Sequence, residues 1–383
     1  MSYRAILSSV LLLSAATVGW GPTHAAERKL AVSATVRALA SDDIFLTNRE
    51  SSTLLGEGMG RLQWSQRDER HSLAADLSMG ARGYSSKDIE GETFGIARLS
   101  GTRAITERLS TSGDLLIARE RTAELANEVA AAVDPRRQVT SIQGSLRLSW
   151  KRNEQVTVVP LLDIRRQSFK QAGVGGGAAA LGLPLRSFSS FGTGLGFNRA
   201  LSERLTVGVS SRIMVDRFDG GGVSVRVSGG GQATLALSET LKASGALGVD
   251  HSLHRADGTQ GSTGLTGNAS LCQTWLHRNG CVRVASTRDA SGLGSGERIE
   301  AGATYSWQIA RNTALSADSA FTSTSFGERK LSFITANVNA SHRIGEHLSL
   351  GLTAGYRRRA GLVRADGAII GLNLSWTTEA VPS

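Results

Sequence analysis

Two kinds of residue in this chain recur at spacings that can do chemistry. Asp76, Asp114, Asp163, Asp216, Asp250 and Asp318 each lie in a stretch where apolar and polar residues alternate, always on the polar side. Arg61, Arg82, Arg147, Arg165, Arg212, Arg226 and Arg357 occupy polar sides as well, as do Arg37, Arg283 and Arg298. Carboxylates and guanidiniums that share a polar face can pair across strands. An excess of guanidinium over carboxylate around a watery interior would instead bias passage toward anions.

Cys272 and Cys281 make up the cysteine content. Two registers compete for the hairpin they flank. A turn centred between Leu276 and His277 sets the cysteines opposite each other, where a small adjustment brings them to bridging distance. A two-residue type I′ turn at Asn279-Gly280, which that dipeptide favours, sets Cys281 against Arg278 and Cys272 against Thr287. Oxidation in an exported chain selects the first register, and a disulfide is the expectation.

Other reactive constellations are missing. None of the seven histidines has metal-ligand spacing, and His251 and His254 fall on opposite faces of a strand. No nucleophile elbow or zinc-protease motif occurs. Gly175–Gly177 and Gly220–Gly222 do not continue into a phosphate-loop lysine and read as loop glycines. We therefore expect no catalytic residue, no metal and no cofactor.

The elements that carry these side chains are strands. Leu205, Val207, Val209, Ile213 and Val215 alternate with Thr206, Gly208, Ser210, Arg212 and Asp216; the runs around Val223–Leu237 and Leu348–Tyr356 behave alike. Runs of roughly ten to fourteen residues exceed the usual soluble strand and suit a tilted bilayer crossing. The chain has 45 Gly but only 5 Pro and is 40% hydrophobic, which argues against low-complexity disorder. Eight polar tight turns can be read between Gln66–Arg70 and Arg343–Glu346, separated by longer segments such as Arg121–Gln138 and Gln171–Ser187. With a first and a last strand they predict an all-β transmembrane antiparallel barrel of about eighteen strands, sixteen being the alternative, with short periplasmic turns and longer extracellular loops. An open sheet edge in hydrocarbon would leave unsatisfied backbone groups, so the sheet must close.

Tryptophan placement supports this reading. Trp64, Trp150, Trp275, Trp307 and Trp376 each end a descending strand on its apolar face, where an amphipathic ring meets the water–lipid boundary. Tyr84, Phe94, Phe169, Phe218, Phe326 and Tyr356 lie at the opposite strand ends and predict a sparser upper girdle. Ile370, Leu372, Leu374 and Trp376 resemble the terminal strand signal read by the barrel-assembly machinery. At the other end, Arg4, the apolar run Ala5–Val18 and the small residues near Ala25 predict a secretory signal over 1–25. Residues 26–383 then form one barrel domain in the outer membrane of a Gram-negative bacterium. The net charge of +10 points to an anionic partner. Export makes lipopolysaccharide or an anionic solute the candidate rather than nucleic acid, and Arg357-Arg358-Arg359 is one place for lipopolysaccharide phosphates. Thr122–Val133, with a capping Thr122 and apolar residues every four positions before Asp134-Pro135, predicts a short loop helix.

Asp42-Asp43-Ile44-Phe45-Leu46-Thr47 resembles an element of the β-barrel porin 2 group of proteobacterial outer-membrane proteins, which usually shows Asp-Asp-Asn before the apolar-aromatic pair. Asp42, Asp43, Phe45 and Thr47 carry the resemblance, which extends through Gly60–Gly83. It implies a barrel associated with exopolysaccharide secretion, working with periplasmic polysaccharide-export components. The expected activity is a passage for exopolysaccharide. A general diffusion porin with anion bias, or a structural or adhesive barrel with a filled lumen, are the rivals.

Overall fold

The computed structural model describes residues 27–43, 52–85, 91–121, 138–170, 186–254, 261–291, 294–326, 329–361 and 364–380. The predicted signal, Phe45 and Thr47 of the motif, and the predicted helix Thr122–Val133 lie outside the described residues.

The chain forms eighteen strands, each long because apolar residues recur along most of its length at every second position. The first six are β1 (Glu27–Ser41), β2 (Thr53–Arg67), β3 (His71–Tyr84), β4 (Glu92–Ala104), β5 (Leu109–Arg121) and β6 (Gln138–Lys151). The next six are β7 (Val156–Phe169), β8 (Phe188–Ala200), β9 (Leu205–Phe218), β10 (Val223–Ala236), β11 (Leu241–His254) and β12 (Ser262–Thr274). The last six are β13 (Arg278–Ser291), β14 (Gly294–Ala310), β15 (Thr313–Phe326), β16 (Arg329–Arg343), β17 (Leu348–Ala360) and β18 (Ala365–Ala380). Each strand pairs antiparallel with its neighbours in sequence, and β1 pairs with β18 over Leu30–Ser41, so the sheet closes on itself. Closure leaves no edge and satisfies every ladder from within the chain. One interruption has a local cause: the β6–β7 ladder runs from Arg147↔Leu161 to Trp150↔Val158 without the two pairs between, beside Pro160, which has no N–H to give.

Register decides the faces, since directly paired residues share one. Leu62, Leu77, Leu247, Leu265, Val209 and Leu372 point outward and are exposed, Leu247 and Leu265 to 80%. Large apolar side chains exposed all round a closed sheet are satisfied by hydrocarbon, not by water. The molecule is an eighteen-stranded antiparallel β-barrel of the Gram-negative outer membrane.

The eight connections at one end are tight turns, and β1 begins and β18 ends on that side. The other end carries nine connections of uneven length. Those between β1 and β2, β5 and β6, and β7 and β8 are long. The connections after β9, β13, β15 and β17 span only two to four residues, as short as the turns opposite. The longer outer loops expected from the sequence are present at that end, interspersed with these short ones. After β9 the reason is visible: Gly220, Gly221 and Gly222 all take positive φ, which glycine adopts without steric penalty, so the chain reverses at once.

Candidate functional site

A barrel of this strand number encloses an aqueous lumen, so its inward side chains are the candidate site. Near the tight turns the lumen wall is open and polar. Arg61, Gln63, Arg98, Asp114, Arg147, Gln232, Lys242 and Arg283 are exposed there. Arg61 Nε donates to both carboxylate oxygens of Asp76 at 2.9 and 3.0 Å, and Gln63 adds a bond at 3.3 Å. Ser145 Oγ donates to Asp114 at 2.9 Å, and Asn337 Nδ2 to Asp318 at 2.9 Å. Hydroxyl and amide pairs fill the spaces between, such as Ser244 with Ser270 at 2.7 Å and Thr353 with Asn339 at 2.9 Å.

Cys272 and Cys281 stand directly opposite on β12 and β13, joined as a disulfide with Cα atoms 4.1 Å apart. Gln273 faces Gly280 and Thr274 faces Asn279, so the Asn-Gly dipeptide lies within the ladder and the turn is Trp275–His277.

Toward the outer end most inward side chains are buried or half-buried, and several of their charges are paired. Arg212 on β9 reaches Asp163 on β7 at 2.6 Å, crossing β8 where the inward residues are Gly192, Gly194 and Gly196. A Cβ on Gly194 would come within 2.8 Å of the Ser211 carbonyl and 3.5 Å of Arg212, so the bare strand is what lets the guanidinium lie across it. One step outward, Asp216 is wholly buried, accepts from Ser190 Oγ at 2.5 Å and faces Arg226 Nε at 3.3 Å. Arg82 sits between Glu57 at 3.2 Å and Glu92 at 3.6 Å, its guanidinium 4.2 Å from the Phe94 ring centre. Arg165 lies 5.5 Å over the Phe188 ring. Asp250 is buried between Ser228 and Gly264 in register. Arg357 faces Thr335 and Gly367. Among the described residues Arg147, Arg283 and Arg357 make no ion pair.

The upper girdle requires correction. Tyr84, Phe94, Phe169 and Phe218 face the lumen, because each shares strand parity with inward charges such as Arg82, Arg98, Asp163 and Asp216. With Leu39, Leu55, Val139, Phe188, Phe333 and Ile369 they line the outer half of the interior with apolar side chains, and Phe188 is 1% exposed. Of the six aromatics assigned to that girdle only Tyr356 is described pointing outward; the Phe326 side chain lies outside the described residues. The signal was legible, since Tyr84 is two residues from Arg82 and eight from Asp76.

The five tryptophans all lie on the outward face at the turn end. Trp64 pairs with Leu30, Trp150 with Leu109 and Trp376 with Leu348. Arg278 stacks 4.7 Å over the Trp307 ring, and Trp275 follows β12. Asp42 works at the seam: its Oδ1 accepts from the backbone N–H of Ala368 on β18 at 2.8 Å and from that of Asp43 at 2.8 Å, carrying the β1–β18 junction beyond the last ladder pair. In the β2–β3 turn Asp68 accepts from the Arg70 and His71 N–H groups at 2.8 and 2.7 Å and from the His71 ring. The Arg70 N–H first, and then the His71 ring, hold that carboxyl below the usual carboxylate range.

No family model matches the chain, and no curated protein matches it. Solved structures do. The chain is similar to Pseudomonas aeruginosa OpdQ at 12% identity, covering 92% of this chain and 99% of that one, with a TM-score of 0.45. Pseudomonas aeruginosa OccK2 (OpdF) aligns at 10% identity over 93% and 98% of the two chains, TM-score 0.48. Acinetobacter baumannii OccAB3 aligns at 8% identity over 92% and 99%, TM-score 0.45.

Proposed function

We propose that the barrel is a diffusion channel for small hydrophilic solutes, biased toward anions. The observation that carries this reading is the inner wall itself: hydroxyls and amides offering weak hydrogen bonds, with Arg147, Arg283 and Arg357 left outside ion pairs. Fixed positive charge on a pore wall raises the local concentration of anions relative to cations. An exopolysaccharide passage is supported only by the resemblance at Asp42–Thr47. The lumen adds nothing to it: the five tryptophans, the natural stacking platforms for sugar rings, face lipid. The burial of inward side chains in the outer half also favours a short solute over a bulky polymer.

Reconstitution into planar bilayers under a salt gradient tests the proposal. Discrete conductance steps with a reversal potential on the chloride side are expected. The triple variant Arg147→Gln, Arg283→Gln, Arg357→Gln should move that potential toward the cation side while the barrel remains heat-modifiable on gels. Absence of conductance, or cation selectivity in the wild type, would overturn it.

A further inference from the structure

We infer that the outer half of the β12–β13 seam is a lateral slot between the lumen and the outer leaflet, one that admits a long-chain carboxylate of the fatty-acid type. The inference depends on the membrane placement and not on the channel reading. The sheet closes, but this seam is zipped only over its turn-side half. The β12–β13 ladder runs from Thr274↔Asn279 to Gly267↔Ser286 and stops there. Both strands continue outward. Residues 262–266 stay paired with β11 as far as Ser252↔Ser262, and residues 287–291 stay paired with β14 as far as Ser291↔Gly294. Among the described residues these two segments form no ladder pair with each other. Every second residue of an antiparallel strand turns its N–H and C=O toward a given neighbour, so backbone groups on both sides of the seam are left for another partner. Hydrocarbon cannot satisfy them, so the seam must be reached by water or by a polar ligand.

Arg288 shows what fits between the strands. Its pairing opposite Glu297 places it on the outward row of β13. Its guanidinium nevertheless ends on the lumen side of β12, where Nη1 donates to the Ser262 carbonyl and to Ser262 Oγ, each at 2.9 Å. Gly264 shares the inward row with Asp250, and a Cβ there would meet Arg288 Nη2 at 2.8 Å and Cζ at 3.2 Å, so the bare residue makes the room. An unbranched alkyl side chain with a planar polar head thus threads the wall, and a fatty acyl chain is unbranched in the same way. Outside the slot the surface suits such a chain, with Leu265, Val249, Val284 and Ile299 exposed around it. Inside lie the hydroxyls of Ser252 and Ser262, 3.0 Å apart. No carboxylate among the described residues forms an ion pair with Arg288, although Glu297 stands opposite it. A guanidinium can donate two parallel bonds to a carboxylate, so Arg288 meets the head while Leu265 and its neighbours meet the chain.

Photolabelling of the full barrel in phosphatidylcholine nanodiscs tests this, with a diazirine-bearing hexadecanoate as the probe. Label should concentrate on residues 262–266 and 287–291. Unlabelled hexadecanoate should compete about tenfold better than hexadecanol, which has the chain without the charge. Acetate, which has the charge without the chain, should not compete. Arg288→Gln should lower hexadecanoate labelling about tenfold and change the hexadecanol concentration needed to compete by no more than about twofold. Hydrogen exchange of the wild type reads the slot without any variant. The seam-facing amides of residues 262–266 and 287–291 should exchange at least about tenfold faster than those of residues 267–274. Label spread evenly around the outward face, equal competition by hexadecanoate and hexadecanol, or equal exchange in the two halves of the seam would overturn the slot. Undiminished labelling of the folded Arg288→Gln variant would overturn the role of that arginine and with it the carboxylate. Conductance is measured independently, so failure of the channel reading and failure of this one are distinguishable.

Discussion

The two halves of the lumen follow one alternation and arrive at different chemistry. Near the tight turns, Arg61 and Asp76 pair in reach of water and can exchange each other for solvent. Near the outer lip, Asp216 and Arg226 form an ion pair out of reach of water, among Phe188, Phe218 and Ser224. Burial makes the same pair of residue types far more consequential. An exposed ion pair contributes roughly 0–1 kcal/mol, whereas removing one partner of a buried pair leaves an uncompensated charge and costs about 3–5 kcal/mol. The open half is therefore the tolerant part of the wall, and the buried half is the part that sets shape.

The largest expected effect tests that contrast directly. Arg226→Met should lower barrel stability by about 3–5 kcal/mol in urea titrations followed by tryptophan fluorescence. Arg61→Met, which frees an accessible Asp76, should cost about 1 kcal/mol or less. The double change Arg226→Met, Asp216→Leu should recover most of the loss, because neither member of the pair then leaves the other's charge buried alone. Equal effects from the two single variants would erase the distinction between the halves.

The middle effect lies at the turn end. Cys272 and Cys281 are nine positions apart, and cross-linking so short a loop stabilises by about 2–3 kcal/mol in the chain-entropy treatment. Cys272→Ser, Cys281→Ser should destabilise by about that amount and allow Asn279-Gly280 to compete for the turn. Thiol labelling of the denatured, unreduced wild type should find no reactive cysteine. Two reactive thiols per chain would mean that the Asn-Gly register prevails.

How far the sequence reached depended on whether a feature is periodic. Period two placed Asp163, Arg212 and the tryptophans on their faces, and the turn residues marked eight of the chain reversals. The opposition of Cys272 to Cys281 was readable as one of two registers, with oxidation as the tiebreaker. Two things were not reached, for different reasons. The apolar lining of the outer lumen was present in the parity of Tyr84 and Phe94 but was masked by the expectation that strand-end aromatics face lipid. The pairing of Arg212 with Asp163 across β8 was unreadable, because it needs the registers of two successive hairpins, and the eighteen residues between Phe169 and Phe188 carry no period that fixes the first.

The smallest effect belongs to the β2–β3 turn, where water reaches everything. Asp68 accepts N–H bonds from Arg70 and His71, which favour its ionised form and lower its proton affinity in the folded state relative to the unfolded chain. A depressed carboxyl contributes stability above its unfolded value, near pH 4, and that contribution disappears as pH falls through the lower folded value. The wild type should therefore lose a small increment of stability between about pH 4 and the lower folded value, and Asp68→Asn, which keeps one acceptor oxygen but cannot ionise, should lose none of that increment. Because the carboxylate sits in a solvent-accessible turn, the difference should appear in hydrogen exchange at the Arg70 and His71 amides rather than in global unfolding. Identical acid limbs for the two amides in wild type and variant would show that the turn is held by its backbone alone. The turn end would then be indifferent to charge throughout, and the contrast with Asp216 at the other end would be sharper still.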